Sequence, residues 1–249
     1  MRIALVSDIH GNLAALEAVA ADIDRRGVDA VVNLGDNLSG PLLPRQTAQF
    51  LMARGWPSLA GNHDRALLAD DPALRSPADD HAHAELGAAE FAWLATLAPT
   101  RRWSPEVFLC HGTPTSDLEY FFETVEAGAI RLASAGEIEA RRAGEGAAVI
   151  ACGHTHMPRA LRNAGGQLLV NPGSVGLPAY LDDDPPVHMV ETGTTDARYA
   201  IIERTGDAWT AMLLSIPYDH RSMAALAARN GRCDWQQALL TGRAFSADA

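Results

Sequence analysis

The chain begins Met1-Arg2-Ile3-Ala4-Leu5-Val6-Ser7-Asp8-Ile9-His10-Gly11-Asn12, and this stretch sets the reading of everything after it. Ile3 to Val6 is an unbroken apolar run, as expected of a strand buried on both faces, and it breaks at once into Asp8 and His10. A carboxylate and an imidazole therefore stand at the strand's C-terminal edge. Two residues apart in near-extended backbone, their side chains project to the same side, where one metal ion can be gripped by a hard oxygen and a borderline nitrogen. Taken alone the Asp-x-His pair is a weak signal, because a helix-capping Asp with a polar His nearby is the commoner reading. The rest of the chain repeats the device.

Asn12 is placed to cap a helix whose stripe of Leu13, Leu16, Val19, Ala20 and Ile23 runs to Gly27. Residues 30–34 are a second buried strand, giving a strand, helix, strand unit with a parallel pair, and it ends in Gly35-Asp36-Asn37. A helix over 46–54 and a short third strand over 57–60 lead to Gly61-Asn62-His63-Asp64. Residues 70–80 read as an acidic, proline-punctuated loop, 85–97 as an amphipathic helix, and 117–135 as helical in pieces. Strands over 107–110 and 147–152 run into His111-Gly112 and Gly153-His154-Thr155-His156, and 168–170 precedes Asn171-Pro172-Gly173-Ser174-Val175-Gly176. The remainder predicts an antiparallel meander over 187–190, 198–203 and 208–214, closed by helices over 222–229 and 235–240.

A chain of 249 residues with 47% hydrophobic content can bury one large core, and a single domain over 1–249 is expected. The net charge of −11 comes from 31 acidic residues against 20 basic ones, all Arg. No broad basic surface is left for a phosphate polymer, so long nucleic acid is not an expected partner. Cys110, Cys152 and Cys233 form no disulfide spacing and suit a reducing compartment. No apolar stretch approaches the roughly 20 residues of a membrane span, and the N-terminus reads as a strand rather than a leader. A cytoplasmic protein without a membrane partner is expected.

Strand after strand thus ends in a metal-ligand residue type: Asp8 and His10, Asp36, Asn62, His111, His154 and His156. Open α/β sheets gather their sites at the carboxyl ends of strands. These ligands are too many for one closed site but suit two adjacent cations, roughly 3.5 to 4 Å apart. The mixed nitrogen and oxygen donors predict two divalent transition-metal ions; manganese is the first expectation, and ligand type alone does not separate it from Fe, Zn, Co or Ni.

The order Asp-x-His, Gly-Asp, Gly-Asn-His-Asp, His and Gly-His-x-His resembles the calcineurin-like metallophosphoesterase superfamily, over residues 1 to about 176. Ser7-Asp8-Ile9-His10-Gly11-Asn12, Cys110-His111-Gly112 and the turn from Asn171 to Gly176 resemble, more closely, its small bacterial and archaeal phosphodiesterases. The resemblance implies an α/β fold in which a two-sheet sandwich is flanked by helices in four layers. It implies that Asp8, His10, Asp36 and His156 hold one metal, and that Asp36, Asn62, His111 and His154 hold the other, with Asp36 bridging.

Two such cations clamp a phosphate and lower the pKa of a water between them, making hydroxide available for in-line attack on phosphorus. His63, next to the ligand Asn62, is the candidate general acid, with Asp64 expected to fix its orientation. Asn12 and the turn after Asn171 are candidates for hydrogen bonds to the site or to phosphate. Protein phosphatases of the superfamily carry an Asp-Arg pair shortly after Gly-Asp, where this chain has Asp36-Asn37-Leu38-Ser39-Gly40-Pro41. Arg65 is the candidate replacement, against a solvated helix-face arginine. The expected activity is hydrolysis of small phosphodiesters or nucleotide-like substrates. A phosphomonoesterase or protein phosphatase and a non-catalytic scaffold are the alternatives, and His63 argues against the scaffold.

Other residues carry rival readings. Cys152, two positions before His154, is read as core packing rather than a soft ligand. Asp79, Asp80, His81, His83 and Glu85 are read as a solvated cap before a helix, with a lid over the site as the alternative. Tyr120-Phe121-Phe122 is read as core, with a substrate-stacking wall as the alternative. His188 and His220 fall in a strand and a turn, outside any motif.

Overall fold

In the computed structural model, which describes residues 1–183 and 186–245, the opening apolar run forms β1 (Arg2–Val6), buried from Ile3 onward. Asn12 starts α1 (Leu13–Arg26) by accepting a hydrogen bond from the Ala15 amide, and Gly27, at φ 64°, ends it. There follow β2 (Ala30–Asn33), α2 (Pro44–Arg54), α3 (Asn62–Leu67), α4 (Pro77–Glu85) and α5 (Ala88–Leu94). The middle of the chain supplies β3 (Thr100–Ser104), β4 (Val107–Cys110), β5 (Glu123–Glu126), β6 (Ala129–Leu132), α6 (Ala135–Arg141), β7 (Val149–Ala151), β8 (Arg159–Arg162) and β9 (Leu168–Asn171). The last part holds β10 (Ala179–Asp182), β11 (His188–Glu191), β12 (Ala197–Thr205), β13 (Ala208–Ile216), α7 (His220–Arg229) and α8 (Cys233–Thr241).

Two sheets carry the fold, in the orders β13-β12-β1-β2 and β3-β4-β7-β9-β8. β1 and β2 are parallel, as are β4, β7 and β9, while β3, β8 and β12 run antiparallel to their neighbours. The alternation of β1 makes the layers. Ile3 and Leu5 pack between the sheets with Val107, Leu109, Val149, Ala151 and Val170, whereas Ala4 and Val6 pack with Leu16, Val19 and Ile23 of α1. On the far face of the second sheet, Cys110, Ile150, Cys152 and Leu169 pack with Phe121, Phe122 and Ile138 of α6. Each such aliphatic side chain contributes about 1.5–3 kcal/mol on full burial. The result is the expected pair of sheets flanked by helices. Among the described residues no helix is long and apolar enough to cross a membrane.

Local chemistry overrides several expectations from sequence. Residues 117–135 hold no helix before Ala135; β5 and β6 form a hairpin instead. Its turn residues Ala127 and Gly128 both have positive φ, 52° and 79°, the primed turn that matches the twist of two strands. The acidic loop after Asp70 turns helical at Pro77, because Ser76 and Asp79 form a capping box and Pro77 occupies the first turn. Gly87 separates α4 from α5, where one continuous helix from 85 was expected. Residues 57–60 make only isolated bridges, Asn33 to Ser58 and Leu59 to Ala98. The C-terminal meander is divided: β11 pairs with β10 in a separate ribbon, and β12 crosses to pair with β1 along Arg2 to Leu5.

Candidate metal centre

β1, β2, β4 and β7 release Asp8 and His10, Asp36, His111, and His154 with His156 just beyond their last residues. Asp8, His10, Asp36, His154 and His156 have φ of 54°, 52°, 54°, 69° and 57°. The left-handed region costs a non-glycine residue on the order of 1–3 kcal/mol, so these turns persist because their surroundings hold them. Asp8 N donates to Gly35 O at 2.9 Å, His10 N to Asp36 O at 3.1 Å and Gly176 N to Asp8 O at 3.0 Å. The near-extended backbone expected between Asp8 and His10 is therefore absent. Sharp left-handed turns bring them together.

Two groups of donors result. Ligand atoms of Asp8, His10 and His156 lie within 4.8 Å of one another, as do those of Asp36, His111 and His154. Asp36 spans both: its Oδ2 is 3.2 Å from His111 Nε2 and 3.9 Å from His10 Nε2.

The hydrogen bonds fix which ring nitrogens face inward. His10 Nδ1 donates to Ser39 O at 2.9 Å, His156 Nδ1 to Leu177 O at 2.7 Å and His111 Nδ1 to Leu34 O at 2.8 Å, since a carbonyl only accepts. In the neutral rings the Nε2 lone pairs of His10 and His156 then face each other at 3.1 Å. His111 Nε2 likewise meets Asn62 Oδ1 at 3.1 Å and Asp36. His154 is turned the other way: Nε2 donates to Leu118 O at 3.1 Å, leaving Nδ1 as its donor to a cation. Lone pairs converging on one point, with no donor of their own between them, suit a bound cation.

The electrostatics agree. Burial pushes His10 down to about 4 and His154 to about 3, and holds His156 well below the usual imidazole range, so these rings stay neutral as ligands must. Burial pushes Asp8 up to about 7. Burial also disfavours charge on His111, but Asp36 beside it outweighs that and pushes it up to about 10. Around Asp36 the protein thus favours positive charge, and the residues fit divalent metals.

Asn62 and His63 open α3 and line the same cavity as His10, Asp36, His154 and His156. Gly61 permits this approach: a Cβ there would collide with Asp36 Oδ1. The expectation that Asp64 orients His63 is corrected. Asp64 accepts from Gly61 N at 3.0 Å, Asn37 N at 3.0 Å and Asn37 Nδ2 at 2.7 Å, bracing the two loops behind the centre. His63 Nδ1 is held instead by Asp79 Oδ1 at 2.9 Å. Asp79 is 2% exposed and anchored by Ser76 N and Oγ at 2.8 and 2.7 Å, so it is no part of a solvated cap. Burial opposes charge on His63, but Asp36 and Asp79 outweigh it and push His63 up to about 9. The capping spacing Ser76-x-x-Asp79 was the available signal for this helix; nothing local aims Asp79 at His63.

Asn12 does not reach the cavity. It caps α1 and donates to Gly176 O at 2.8 Å and Tyr218 Oη at 3.0 Å. Arg65 lies outside the cavity lining, 58% exposed and paired with Asp117 at 2.7 and 3.0 Å. The Asn171 turn braces the histidine loop, with Asn171 Nδ2 donating to Gly153 O at 2.7 Å and Thr155 Oγ1 at 3.1 Å. The aromatic triplet divides: Phe121 and Phe122 are core, while Tyr120 lines the cavity with Tyr180 and His188. Tyr120 packs edge-on against His154, Tyr180 against His156 and Trp235 against His10, at centroid distances of 5.1, 4.8 and 6.0 Å. Tyr180, His188 and Trp235 carry no motif that marks them in the sequence.

The chain belongs to the calcineurin-like phosphoesterase superfamily, whose domain matches residues 1–195. Its fold is that of a metallophosphoesterase from Sphaerobacter thermophilus, with a TM-score of 0.76, 25% identity and coverage of 97% of this chain and 99% of that one. A hypothetical protein from Pyrococcus horikoshii OT3 superposes with a TM-score of 0.74 at 16% identity, covering 97% and 98% of the two chains. An uncharacterized protein of Methanocaldococcus jannaschii is 39% identical over 66 residues, which span 26% of this chain and 27% of that relative.

Proposed function

We propose that the protein hydrolyses small phosphodiesters at a centre of two divalent metals. The observation that carries this reading is the two neighbouring donor groups, with Asp36 of the second lying 3.9 Å from His10 of the first and His63 beside them in one cavity. Bound there, two cations supply charge to polarise the phosphoryl group and to acidify water for attack on phosphorus. Asp8, His10 and His156 would hold one, and Asp36, Asn62, His111 and His154 the other, with Asp36 common to both. As the P–O bond to the alcohol breaks, His63 delivers a proton to the leaving oxygen, and Asp79 holds the ring for that transfer. Tyr120, Tyr180 and Trp235 crowd the imidazoles and keep water from their outer faces.

The preference for diesters rests on the missing grip. A phosphomonoester dianion is best held by arginine forks besides the metals, and Arg65 is occupied by Asp117 outside the cavity. Arg141 and Arg232 line the cavity but spend nitrogens on Phe121 O, Glu123 O and Thr124 Oγ1, and on Asp234. The net charge of −11 further disfavours polyanionic substrates.

The test is a substrate panel with metal-quantified protein, in which kcat/KM for small diesters should exceed that for phosphopeptides and simple monoesters by about tenfold or more. Faster monoester turnover would place the protein among the phosphatases. His63→Ala should lower kcat by about 10²- to 10⁴-fold for poor leaving groups, less for an activated aryl ester, with metal content unchanged. Loss of metal in that variant would remove the proton-donor role.

A further inference from the structure

The matched family domain ends at residue 195, and the chain continues through β12, β13, α7 and α8. α7 and α8 pack around Met223, Trp235 and Leu239, and the same cluster takes in Leu42, Ala78 and Leu177 from segments beside the metal centre. Two of these bear directly on its imidazoles. Leu177 O is the carbonyl that accepts from His156 Nδ1 at 2.7 Å. Leu42 lies in the same loop as Ser39, whose O accepts from His10 Nδ1 at 2.9 Å.

That loop is held from outside. Gly40, at φ 153°, presents no side chain, and a Cβ there would stand 2.5 Å from His10 O and 2.8 Å from the Trp235 ring. Glycine thus lets Trp235 lie directly against the loop, and the same indole packs edge-on against His10 at a centroid distance of 6.0 Å. Asn230, at the end of α7, donates through Nδ2 to Pro41 O at 2.8 Å. The end of α8 is anchored in turn, with Gly193 N donating to Gly242 O at 2.9 Å and Ala244 N to Glu191 Oε1 at 2.9 Å.

The other donor group has different supports. His111 Nδ1 donates to Leu34 O at 2.8 Å, and Leu34 packs between the sheets. His154 Nε2 donates to Leu118 O at 3.1 Å. Neither Leu34 nor Leu118 belongs to the α7–α8 cluster. The partner of an imidazole's far nitrogen fixes the ring's orientation and basicity, and disturbing it weakens metal affinity about 10- to 100-fold. The two cation positions therefore depend on different parts of the chain.

Resting on the two-metal reading, we infer that α7–α8 is a positioning element for one cation only. Trp235 and Asn230, with the packing on Leu177, hold His10 and His156 in ligating orientation at the Asp8, His10 and His156 position, while the Asp36, His111 and His154 position forms without them. Residues beyond the matched domain then decide whether the centre holds one ion or two.

The test titrates metal-stripped, full-length protein with zinc by calorimetry and reads the histidine ring nitrogens of the loaded protein by NMR, so no turnover is needed. Wild type should take up two ions. Trp235→Ala should weaken one of them about 10- to 100-fold and leave the other unchanged. Asn230→Ala, at an exposed position where the fold tolerates the change, should weaken the same ion by about 3- to 10-fold, the worth of one hydrogen bond. In both variants the ring signals of His10 and His156 should return to their metal-free positions at zinc concentrations that keep those of His111 and His154 shifted. Trp209→Ala removes a buried indole at the opposite end of the same sheet, where Arg204, its pairing partner, donates to Met1 O, and should lower thermal stability while both ions stay bound. Equal weakening of both ions, loss at His111 and His154 instead, an equal effect of Trp209→Ala, or no change in either α7–α8 variant overturns the inference. Should Trp235→Ala fail to fold, Asn230→Ala decides alone. Wild type that binds fewer than two ions removes the two-metal reading and this inference with it, whereas two ions bound equally well in wild type and variants remove this inference alone.

Discussion

The donors on the cavity floor and the wall of Tyr120, Tyr180 and His188 are held in place by different means. On the floor, the outward-facing nitrogen of each imidazole is fixed by a main-chain carbonyl, Ser39 O, Leu177 O, Leu34 O or Leu118 O, and the donors leave strands through backbone turns braced by amides. The wall is tied by side chains, with Tyr120 bonded to Tyr180 and His188 across three chain segments. Main-chain bracing resists substitution at neighbouring positions and fixes geometry tightly. Side-chain ties change with a single residue. The difference suggests that floor variants abolish the reaction and wall variants spare it.

The largest effect should come from the floor's central carboxylate. Asp36→Asn removes the carboxylate charge of one donor group that also stands beside the other, so the purified variant should lose metal and kcat should fall about 10³-fold or more. Full metal content with near wild-type turnover would break the distinction outright. Next in size is the aromatic triplet, where core and wall part company within consecutive residues. Phe122→Ala should cost about 3–5 kcal/mol in denaturant unfolding because the ring is fully buried, whereas Tyr120→Phe should cost less than about 1.5 kcal/mol. Comparable losses would make Tyr120 part of the core and not of a wall.

Asp79→Asn sits between the two regions. It should lower kcat about 10- to 100-fold through His63 while leaving metal content intact, as measured by elemental analysis. Metal loss there would tie His63 to the floor. The smallest effect is expected at Asp22, which belongs to neither region. Burial raises its pKa, but hydrogen bonds from Arg26, Tyr199 and Arg25 outweigh that and hold it below the usual carboxylate value. A depressed folded-state pKa gives stability that is present above the ordinary value of about 3.9 and lost as pH falls through the lowered one. Asp22→Asn should therefore cost about 1 kcal/mol or less at pH 7, with the gap closing in acid unfolding as pH falls below the ordinary carboxylate value of about 3.9.

Fold and floor were both legible because each floor donor follows directly on an apolar strand. A residue such as Asp36 announces itself by the Val31-Val32-Asn33-Leu34-Gly35 run before it, and the strand end then delivers it to the rim. The edge strand β3 left no such signal: Thr100–Ser104 carries exposed Arg101 and Arg102 and shows no apolar run. Hairpin β5–β6 escaped because its turn depends on Ala127 taking a positive φ, which no preference of alanine foretells.

By itself the sequence determined the parallel pairing of the first two strands and the residue types gathered at the rim. These follow from short-range rules, since an apolar run and the polar residue ending it are neighbours in the chain. Only the tertiary structure decided that Asp79 rather than Asp64 holds His63, that Arg65 is spent on Asp117, and that Tyr120, Tyr180 and His188 share one wall. Each of those is a contact between segments with no local signature. A side-chain hydrogen bond depends on where two elements come to rest, which packing of the two sheets settles.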